Sequence, residues 1–324
     1  MKREDLRIIL FEKFSANCKF VTNENVKKEE HKFYGDFICP LCCKGFSRKD
    51  LNQDLENPLT VEDVPPKSLK GKPITITCKK CNSKSGQLLD ADLKRLIDWL
   101  NFKNKKPNTR ANVKLDFKGI KLNGVMLFNK DGKADFEIEK SRNNPKNWDS
   151  FVLQAMEGEI TNEDKMSFTA KAGGSDYLNF EVVDKMAHIK RAFLSILRAG
   201  YLYAYTKFGA EFLQLNPNLK IIRQQIDNPN EEIIPNYGVF SFSLSEKYVG
   251  VNWAPSLNCY ISVFKIELNG IKYYTGVILP GPFTNSLEKF KKLDEYKNQE
   301  ETLSAKKLPD VDYFRKENFG LLTN

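Results

Sequence analysis

The chain has 324 residues, 41% of them hydrophobic, which is enough to bury the core of one large domain or of two domains of ordinary size. No stretch approaches the roughly 18 apolar residues of a membrane span, and the first residues, MKREDLRIILFEKF, lack the uninterrupted apolar run of a secretory signal. We therefore expect a soluble, cytoplasmic protein with no membrane partner.

The net charge of +9 is concentrated in the first third of the chain. Residues 1–110 contain 23 Lys and Arg against 15 Asp and Glu, a balance of +8, which leaves about +1 for the remaining 214 residues. A basic segment of this kind suits a polyanion such as nucleic acid, because lysines that neutralise phosphates release counterions. A solvated, lysine-rich surface would give the same count.

The first part of the chain predicts a small unit built around cysteines. DLRIILFEKF has the apolar spacing of a short helix, and a Cys-x-x-Cys knuckle follows at Cys39 and Cys42. KPITITC alternates like a strand and runs into a second pair, Cys78 and Cys81, at the start of a helix that continues to about residue 100.

The two cysteine pairs predict a metal site. Five of the seven cysteines lie between residues 39 and 81, and in a reducing compartment such clustering indicates a metal rather than disulfides. We expect a structural Zn(II), whose tetrahedral sulfur coordination leaves no open position for a substrate. The expected ligands are Cys39, Cys42, Cys78 and Cys81. Cys43 is an adjacent alternative ligand, whereas Cys18 and Cys259 are expected to be buried apolar residues.

A second domain is predicted after a polar, basic stretch at residues 101–112. Strand patterns lie between residues 113 and 174, with Asn123-Gly124 and Asp131-Gly132 as hairpin turns. A long helix follows at about residues 185–213, in which Gly200 requires another element to pack closely. Three more strand patterns between residues 237 and 282 predict an antiparallel sheet with this helix packed against it.

A resemblance to a known family emerges between the cysteine pairs. LTVEDVPPKSL, residues 59–69, followed by TCKKCNSKSG, residues 77–86, resembles the zinc-bearing members of the HNH endonuclease family over about 50 residues. The expected fold class is therefore α+β. Residues 1–106 would form a zinc-stabilised ββα-metal domain, HNH-like and treble-clef-like, and residues 107–324 a larger antiparallel-sheet domain with a long packed helix.

The resemblance also implies the position of an active site. In the family an acidic residue and a helix-borne Asn or His hold a divalent ion, and a His activates the water that attacks a phosphodiester. By position, Glu62 is the acidic ligand, Asn82 is the helix ligand, and Asp63 stands where the general-base His is expected. Neither histidine of the chain, His31 or His188, lies within the motif. A carboxylate beside a cation is a weak base at neutral pH, so the predicted catalyst is incomplete.

Three functional hypotheses remain open. The first in weight is a nucleic-acid-binding protein, with DNA favoured, whose HNH-like site no longer cleaves. Its phosphate contacts are expected from the lysines of the motif: Lys67, Lys70, Lys72, Lys79, Lys80 and Lys84. The second is an active DNA endonuclease that uses Mg(II) or Mn(II) at Glu62, Asp63 and Asn82, with His31 as a further candidate base. The third is a module that senses a protein or small ligand, with the zinc unit as a docking platform. An origin in host defence or DNA metabolism is suggested by analogy alone.

Overall fold

The structure is a computed structural model, and it describes the chain in segments. The described residues are 3–25, 36–85, 89–155, 165–170, 178–183, 187–234, 239–241, 244–293, 306–308 and 313–314. The helices are α1 (Arg3–Asn25), α2 (Lys79–Ser85), α3 (Ala91–Lys103), α4 (Pro145–Ala155), α5 (Ile189–Phe208), α6 (Ala210–Gln214), α7 (Lys220–Asp227) and α8 (Ser286–Lys291).

Antiparallel strands form the sheets of this mixed α+β protein. The strands are β1 (Phe37–Ile38), β2 (Gly45–Phe46), β3 (Leu59–Val64), β4 (Lys72–Cys78), β5 (Thr109–Phe117), β6 (Ile120–Phe128), β7 (Ala134–Glu139), β8 (Lys165–Ala170), β9 (Leu178–Val182), β10 (Val239–Ser241), β11 (Gly250–Ala254), β12 (Cys259–Leu268), β13 (Ile271–Pro280) and β14 (Lys306–Lys307). None of the described helices is long and apolar enough to cross a membrane.

The chain divides into two compact units that are not consecutive in sequence. The first unit combines residues 1–94 with residues 188–324, and the second contains residues 95–187. This division differs from the predicted boundary between residues 106 and 107. The polar composition of residues 101–112 marks only a short turn, because α3 ends at Lys103 and β5 already begins at Thr109.

Helix α1 contributes aromatic residues to the core of the first unit. The predicted short helix extends to Asn25, and its Phe14 ring stacks on Tyr205 of α5 with centroids 4.9 Å apart. Phe14 also contacts Phe37 of β1 edge-on at 6.4 Å. Because β1 leads directly into the first cysteine pair, this packing holds the cysteine knuckle against both helices.

The larger sheet of the first unit has the strand order β10-β13-β12-β11-β14. Helix α5 packs against β12 and β13, as the sequence predicts. The contact is close at Gly200, where an added Cβ would collide with the side chain of Val277. The predicted long helix ends at Phe208, because Gly209 takes a φ of +67° and its N–H caps the carbonyl of Tyr205.

The second unit is an antiparallel sheet of strand order β8-β7-β6-β5-β9 with α4 packed on one face. Its core is apolar and includes residues from both layers: Val113, Leu115, Leu122, Met126, Phe128, Phe136, Ile138, Trp148 and Phe151. Along β5, buried and exposed residues alternate, which is why the pattern of this strand is readable from the sequence.

One of the two predicted hairpin turns is wrong. Asp131-Gly132 does form the turn between β6 and β7, where Gly132 has a φ of +73°. Asn123-Gly124 instead lies inside β6, and the turn before that strand is Lys118-Gly119. Gly124 is needed there for another reason: a Cβ would lie 2.9 Å from the carbonyl oxygen of Glu137.

Candidate metal centre and the adjoining ββα unit

Four cysteine side chains converge at one point of the first unit. The Sγ atoms of Cys39, Cys42, Cys78 and Cys81 all lie within 4.8 Å of one another. Those of Cys42 and Cys78 are 3.9 Å apart, close to the roughly 3.8 Å edge of a tetrahedron with Zn–S bonds of 2.3 Å. The cluster can therefore hold a metal ion such as zinc. Within the described residues, no other group of three or more His, Cys, Asp and Glu brings its ligand atoms together in this way.

Local structure explains why these four thiols meet. Cys39 follows β1, and the turn back to β2 is closed by hydrogen bonds from Cys39 N–H to the Lys44 carbonyl, 3.0 Å, and from Cys43 N–H to the Cys39 carbonyl, 2.9 Å. The second pair spans the junction of β4 with α2, which places Cys78 and Cys81 one turn apart. Cys43, the alternative ligand, lies outside the cluster and takes a positive φ of 55° in the knuckle turn.

The two remaining cysteines are buried, in agreement with the sequence prediction. Cys18 of α1 is 2% exposed, and Cys259 at the start of β12 is fully buried. Burial raises the pKa of each thiol to about 12, because the thiolate would lose its hydration.

We expect Cys18 and Cys259 to resist alkylation by iodoacetamide at pH 7.5 in the folded, metal-loaded protein. Only the thiolate reacts, and a pKa of about 12 leaves almost none of it at that pH. Peptide mass spectrometry after a timed pulse measures this directly. Labelling of either cysteine as fast as in guanidinium with chelator, where all seven thiols of the chain are accessible, would contradict it.

Strands β3 and β4 and helix α2 form a ββα unit directly attached to the cysteine cluster. The strands pair antiparallel from Leu59 opposite Cys78 to Val64 opposite Lys72. The register shifts between Glu62 and Asp63, so the two acidic neighbours occupy different environments. Glu62 is 4% exposed, whereas Asp63 is partly exposed.

Glu62, the predicted acidic metal ligand, faces the interior and contacts an arginine. Its Oε2 lies 2.9 Å from Nη2 of Arg198, a buried residue of α5, and accepts a hydrogen bond of 3.2 Å from the Thr77 hydroxyl. Burial raises the pKa of Glu62 and outweighs the opposite effect of the guanidinium. The pKa of Arg198 is also raised, because nearby carboxylates outweigh its burial, and it therefore stays charged.

A second carboxylate shares the guanidinium. Asp90 accepts a hydrogen bond of 2.7 Å from the hydroxyl of Ser195, one turn before Arg198 on α5, and its pKa is raised by burial against the attraction of Arg198. Within the described residues, Nε of Arg198 has no hydrogen-bond partner, and Nη2 meets Glu62 as an ion pair without hydrogen-bond geometry. The site is thus one buried cation between two carboxylates.

The other two predicted catalytic residues have partners of their own. Asp63 pairs with Arg3 of α1, whose Nη2 lies 2.9 Å from Oδ2. Asn82 of α2 donates from Nδ2 to the Thr60 hydroxyl at 3.0 Å. Each of the three side chains predicted to share a divalent ion is therefore bonded within the protein to a different residue.

All six predicted phosphate-binding lysines are exposed, but their surroundings differ. Lys80 pairs with Glu56 at 2.7 Å, and Lys84 pairs with Asp227 of α7 at 2.6 Å. The other four have no ion pair within the described part of the chain: Lys67, Lys70, Lys72 and Lys79. Lys67 and Lys70 lie on the turn between β3 and β4, and Lys72 is the first residue of β4, which makes this the most available cationic segment of the motif.

The segment RQQIDNP, residues 223–229, has a structural role. The buried Gln225 side chain donates to the carbonyls of Asn228 and Glu231 and accepts from the N–H groups of Ile233 and Ile234, so it organises the following loop.

In the same segment, Arg223 is linked to the cysteine knuckle through Tyr201. Arg223 donates to the Tyr201 hydroxyl at 3.3 Å, and that hydroxyl donates to the carbonyl of Pro40 at 2.7 Å. These contacts connect α5 and α7 with the knuckle.

His188, the histidine that the structure describes, lies at a helix end. His188 caps the N-terminus of α5, where its Nδ1 accepts a hydrogen bond from the Arg191 N–H at 3.4 Å. Its role there is structural. His31 lies outside the described residues.

Comparisons with protein-family models, with curated proteins and with solved structures found no match for this chain. The resemblance to HNH endonucleases therefore rests on the motif residues between Cys39 and Asp90 alone.

Sequence reasoning missed Arg198 as the partner of Glu62, Ser195 as the partner of Asp90, and Arg223 as a link to the knuckle through Tyr201. Arg198 stands out in the sequence only as a charge within an otherwise apolar helical stretch. That signal is informative in retrospect, because a charge on the buried face of a helix requires a partner.

Proposed function

We propose that this protein binds nucleic acid through a zinc-stabilised ββα unit that does not cleave its ligand. The observation that carries the proposal is the buried contact of Glu62 with Arg198. A carboxylate that already neutralises a guanidinium in the interior is a poor ligand for a solvated divalent ion, since removing either partner would leave an uncompensated buried charge.

The state of the other motif residues supports the same conclusion. Asp63 occupies the position of the general base and is held by Arg3, and Asn82 is bonded to Thr60. A phosphodiesterase of this type needs a metal-bound phosphate and an activated water, and none of Glu62, Asp63 and Asn82 is free to take either role.

Binding is supported by charge and by the rigidity of the frame. Lys67, Lys70 and Lys72 are exposed on a turn that follows β3, and both flanking strands are tied to the cysteine cluster. Zinc on the four thiolates would hold this frame in place without taking part in chemistry. Lysines presented in this way can contact successive phosphates, with an affinity that falls as salt rises.

The proposal is tested by measuring binding and cleavage in the same samples. We expect labelled DNA and RNA oligonucleotides to bind with a salt-sensitive affinity, and supercoiled plasmid to remain intact in Mg(II), Mn(II) and Ni(II). Substitution of Lys67, Lys72 and Lys79 by Gln should reduce the slope of log affinity against log salt by about 2 to 3, at roughly 0.7 to 0.9 per lost phosphate contact.

The matched control replaces three exposed lysines of the second unit: Lys121, Lys130 and Lys133. This control variant removes the same amount of charge from another part of the protein. The slope of log affinity against log salt should therefore stay close to that of wild type. The absence of any salt-sensitive binding by the wild-type protein would refute the proposal. Plasmid cleavage that Glu62→Gln abolishes would refute the statement that the site is inactive.

A further inference from the structure

We infer that the ligand is a single-stranded nucleic acid and that its main contact surface extends from the β3–β4 turn onto the end of the β12–β13 hairpin. We call this the hairpin surface, and it consists of Lys70, Lys247, Tyr248, Lys265 and Lys272. The inference rests on the proposed function and adds to it both the class of nucleic acid and four residues outside the motif.

The pairing of β12 with β13 places two of these lysines on one face. Lys265 lies opposite Tyr274, and Glu267 opposite Lys272. Residues two apart on a strand share a face, so all four side chains project from the same side of the hairpin end. Lys265 and Lys272 are both exposed there.

The motif turn lies against this hairpin end. The short helical turn of Lys67–Leu69 contacts β12, and its Leu69 side chain is fully buried. The charge of Lys70 acts on Glu267: the pKa of that carboxyl is lowered first by its contact with Lys265, and Lys272 and Lys70 lower it further. The lysines of the motif and of the hairpin therefore form one continuous surface.

An exposed aromatic side chain adjoins these lysines. Tyr248 is 43% exposed, and Nζ of the neighbouring Lys247 lies 4.8 Å from the centre of its ring. The segment that carries Tyr248 is attached to the hairpin at Leu244, whose N–H donates to the carbonyl of Tyr274 at 3.1 Å. The other large tyrosines around α5 are buried in the core, as Tyr201 and Tyr205 show.

The charge of the hairpin surface is positive after its acidic residues are counted. Four lysines stand against Glu246 and Glu267, which gives +2, and Lys67 and Lys72 on the same turn raise this to +4. Lysines neutralise the phosphates of any nucleic acid, but an exposed ring can stack only on bases that are not already stacked in a duplex. The combination favours a single strand over a double helix.

The test uses the full-length, zinc-loaded protein and fluorescence anisotropy with oligo(dT), oligo(U) and a DNA duplex of equal length, each over a salt series. We expect both single strands to bind more tightly than the duplex. Tyr248→Ala should weaken single-strand binding at least about 5-fold, the smallest loss typical of a stacked base. Tyr248→Phe should restore it, since the ring alone is needed for stacking.

A charge variant locates the surface independently of the ring. Lys70→Gln, Lys247→Gln and Lys272→Gln together leave the Lys265–Glu267 pair intact and should reduce the salt slope for oligo(dT) by about 2. The triple Gln variant at Lys121, Lys130 and Lys133 is the matched control. Circular dichroism and zinc content would confirm that each variant is folded.

The possible outcomes separate this inference from the proposed function. If wild type binds nucleic acid but the Tyr248 and lysine variants bind as tightly as the control, the hairpin surface is refuted and the proposed function stands. Tighter binding of duplex than of either single strand refutes the preference for single strands. If wild type binds no nucleic acid at all, both proposals fail.

Discussion

Removal of the metal should unfold the first unit of this protein. Four thiols that converge within 4.8 Å of one another can cross-link the β1–β2 knuckle to the β4–α2 junction through a metal ion. Structural zinc contributes on the order of 10 kcal/mol to small domains at neutral pH, which is comparable with the whole stability of a typical protein. Without the metal, the neighbouring thiolates would repel one another and the cross-link would be lost. Helix α1 and the ββα unit would then separate from α5.

The measurement combines metal content with unfolding. Wild type should contain one zinc per chain, and Cys39→Ser or Cys78→Ser should lose it together with the cooperative thermal transition of the unit. Excess chelator should have the same effect and should make Cys18 and Cys259 reactive towards iodoacetamide. Cys43→Ser is the matched control, because it alters an adjacent thiol that lies outside the cluster. Retention of zinc by Cys78→Ser, or its loss from Cys43→Ser, would contradict the assigned ligand set.

Breaking the buried contact between Glu62 and Arg198 should have the second-largest effect. Arg198→Met leaves the buried Glu62 and the partly buried Asp90 without their shared cation, and Glu62→Leu leaves the guanidinium with Asp90 alone. Removing one partner of a buried ion pair costs roughly 3–5 kcal/mol of the free energy of unfolding. We expect both single variants to fall in that range, measured by urea denaturation with zinc present.

The double variant distinguishes a true pair from two independent losses. Glu62→Leu combined with Arg198→Met removes both charges, so its cost should be smaller than the sum of the single costs by at least about 1 kcal/mol. The comparison pair is Arg48 with Glu12, which are 2.7 Å apart but exposed, and for which Arg48→Met should cost less than about 1 kcal/mol. Additive costs at Glu62 and Arg198 would show that the two side chains do not act as a unit.

The Arg198 variant also bears on the proposed loss of catalysis. Removing the guanidinium frees Glu62 alone, because Asp63 and Asn82 remain bonded to Arg3 and Thr60. Glu62, Asp63 and Asn82 thus each have a different partner within the protein. The proposed inactivity therefore rests on several contacts rather than one.

Features that depend on neighbours in sequence were predicted well. The two Cys-x-x-Cys pairs lie on turns whose geometry is local, and the cluster they form agrees with the prediction. The alternation along β5 and the glycine turn at Asp131-Gly132 are local for the same reason. Asn123-Gly124 misled the prediction because Gly124 serves a contact with β7, across the sheet, rather than a turn.

The state of the candidate site could not be predicted, because its decisive partners are remote in the chain. Arg198 follows Glu62 by 136 positions, so no local sequence pattern indicates that the two residues pair. The predicted boundary after residue 106 separated these two residues into different domains, whereas the structure places them in one unit. An apolar helix with one arginine does not reveal which carboxylate that arginine will meet.

The amino-acid sequence by itself determined which four cysteines cluster, the types of most strands and helices and the basic character of the motif, since each follows from residue type and short-range spacing. Tertiary structure alone decided that residues 1–94 and 188–324 form one unit, that Arg198 lies against Glu62, and that the motif turn joins the β12–β13 hairpin. The physical reason is that a buried charge requires an opposite charge as its partner. Only folding brings that partner into contact from a distant part of the chain.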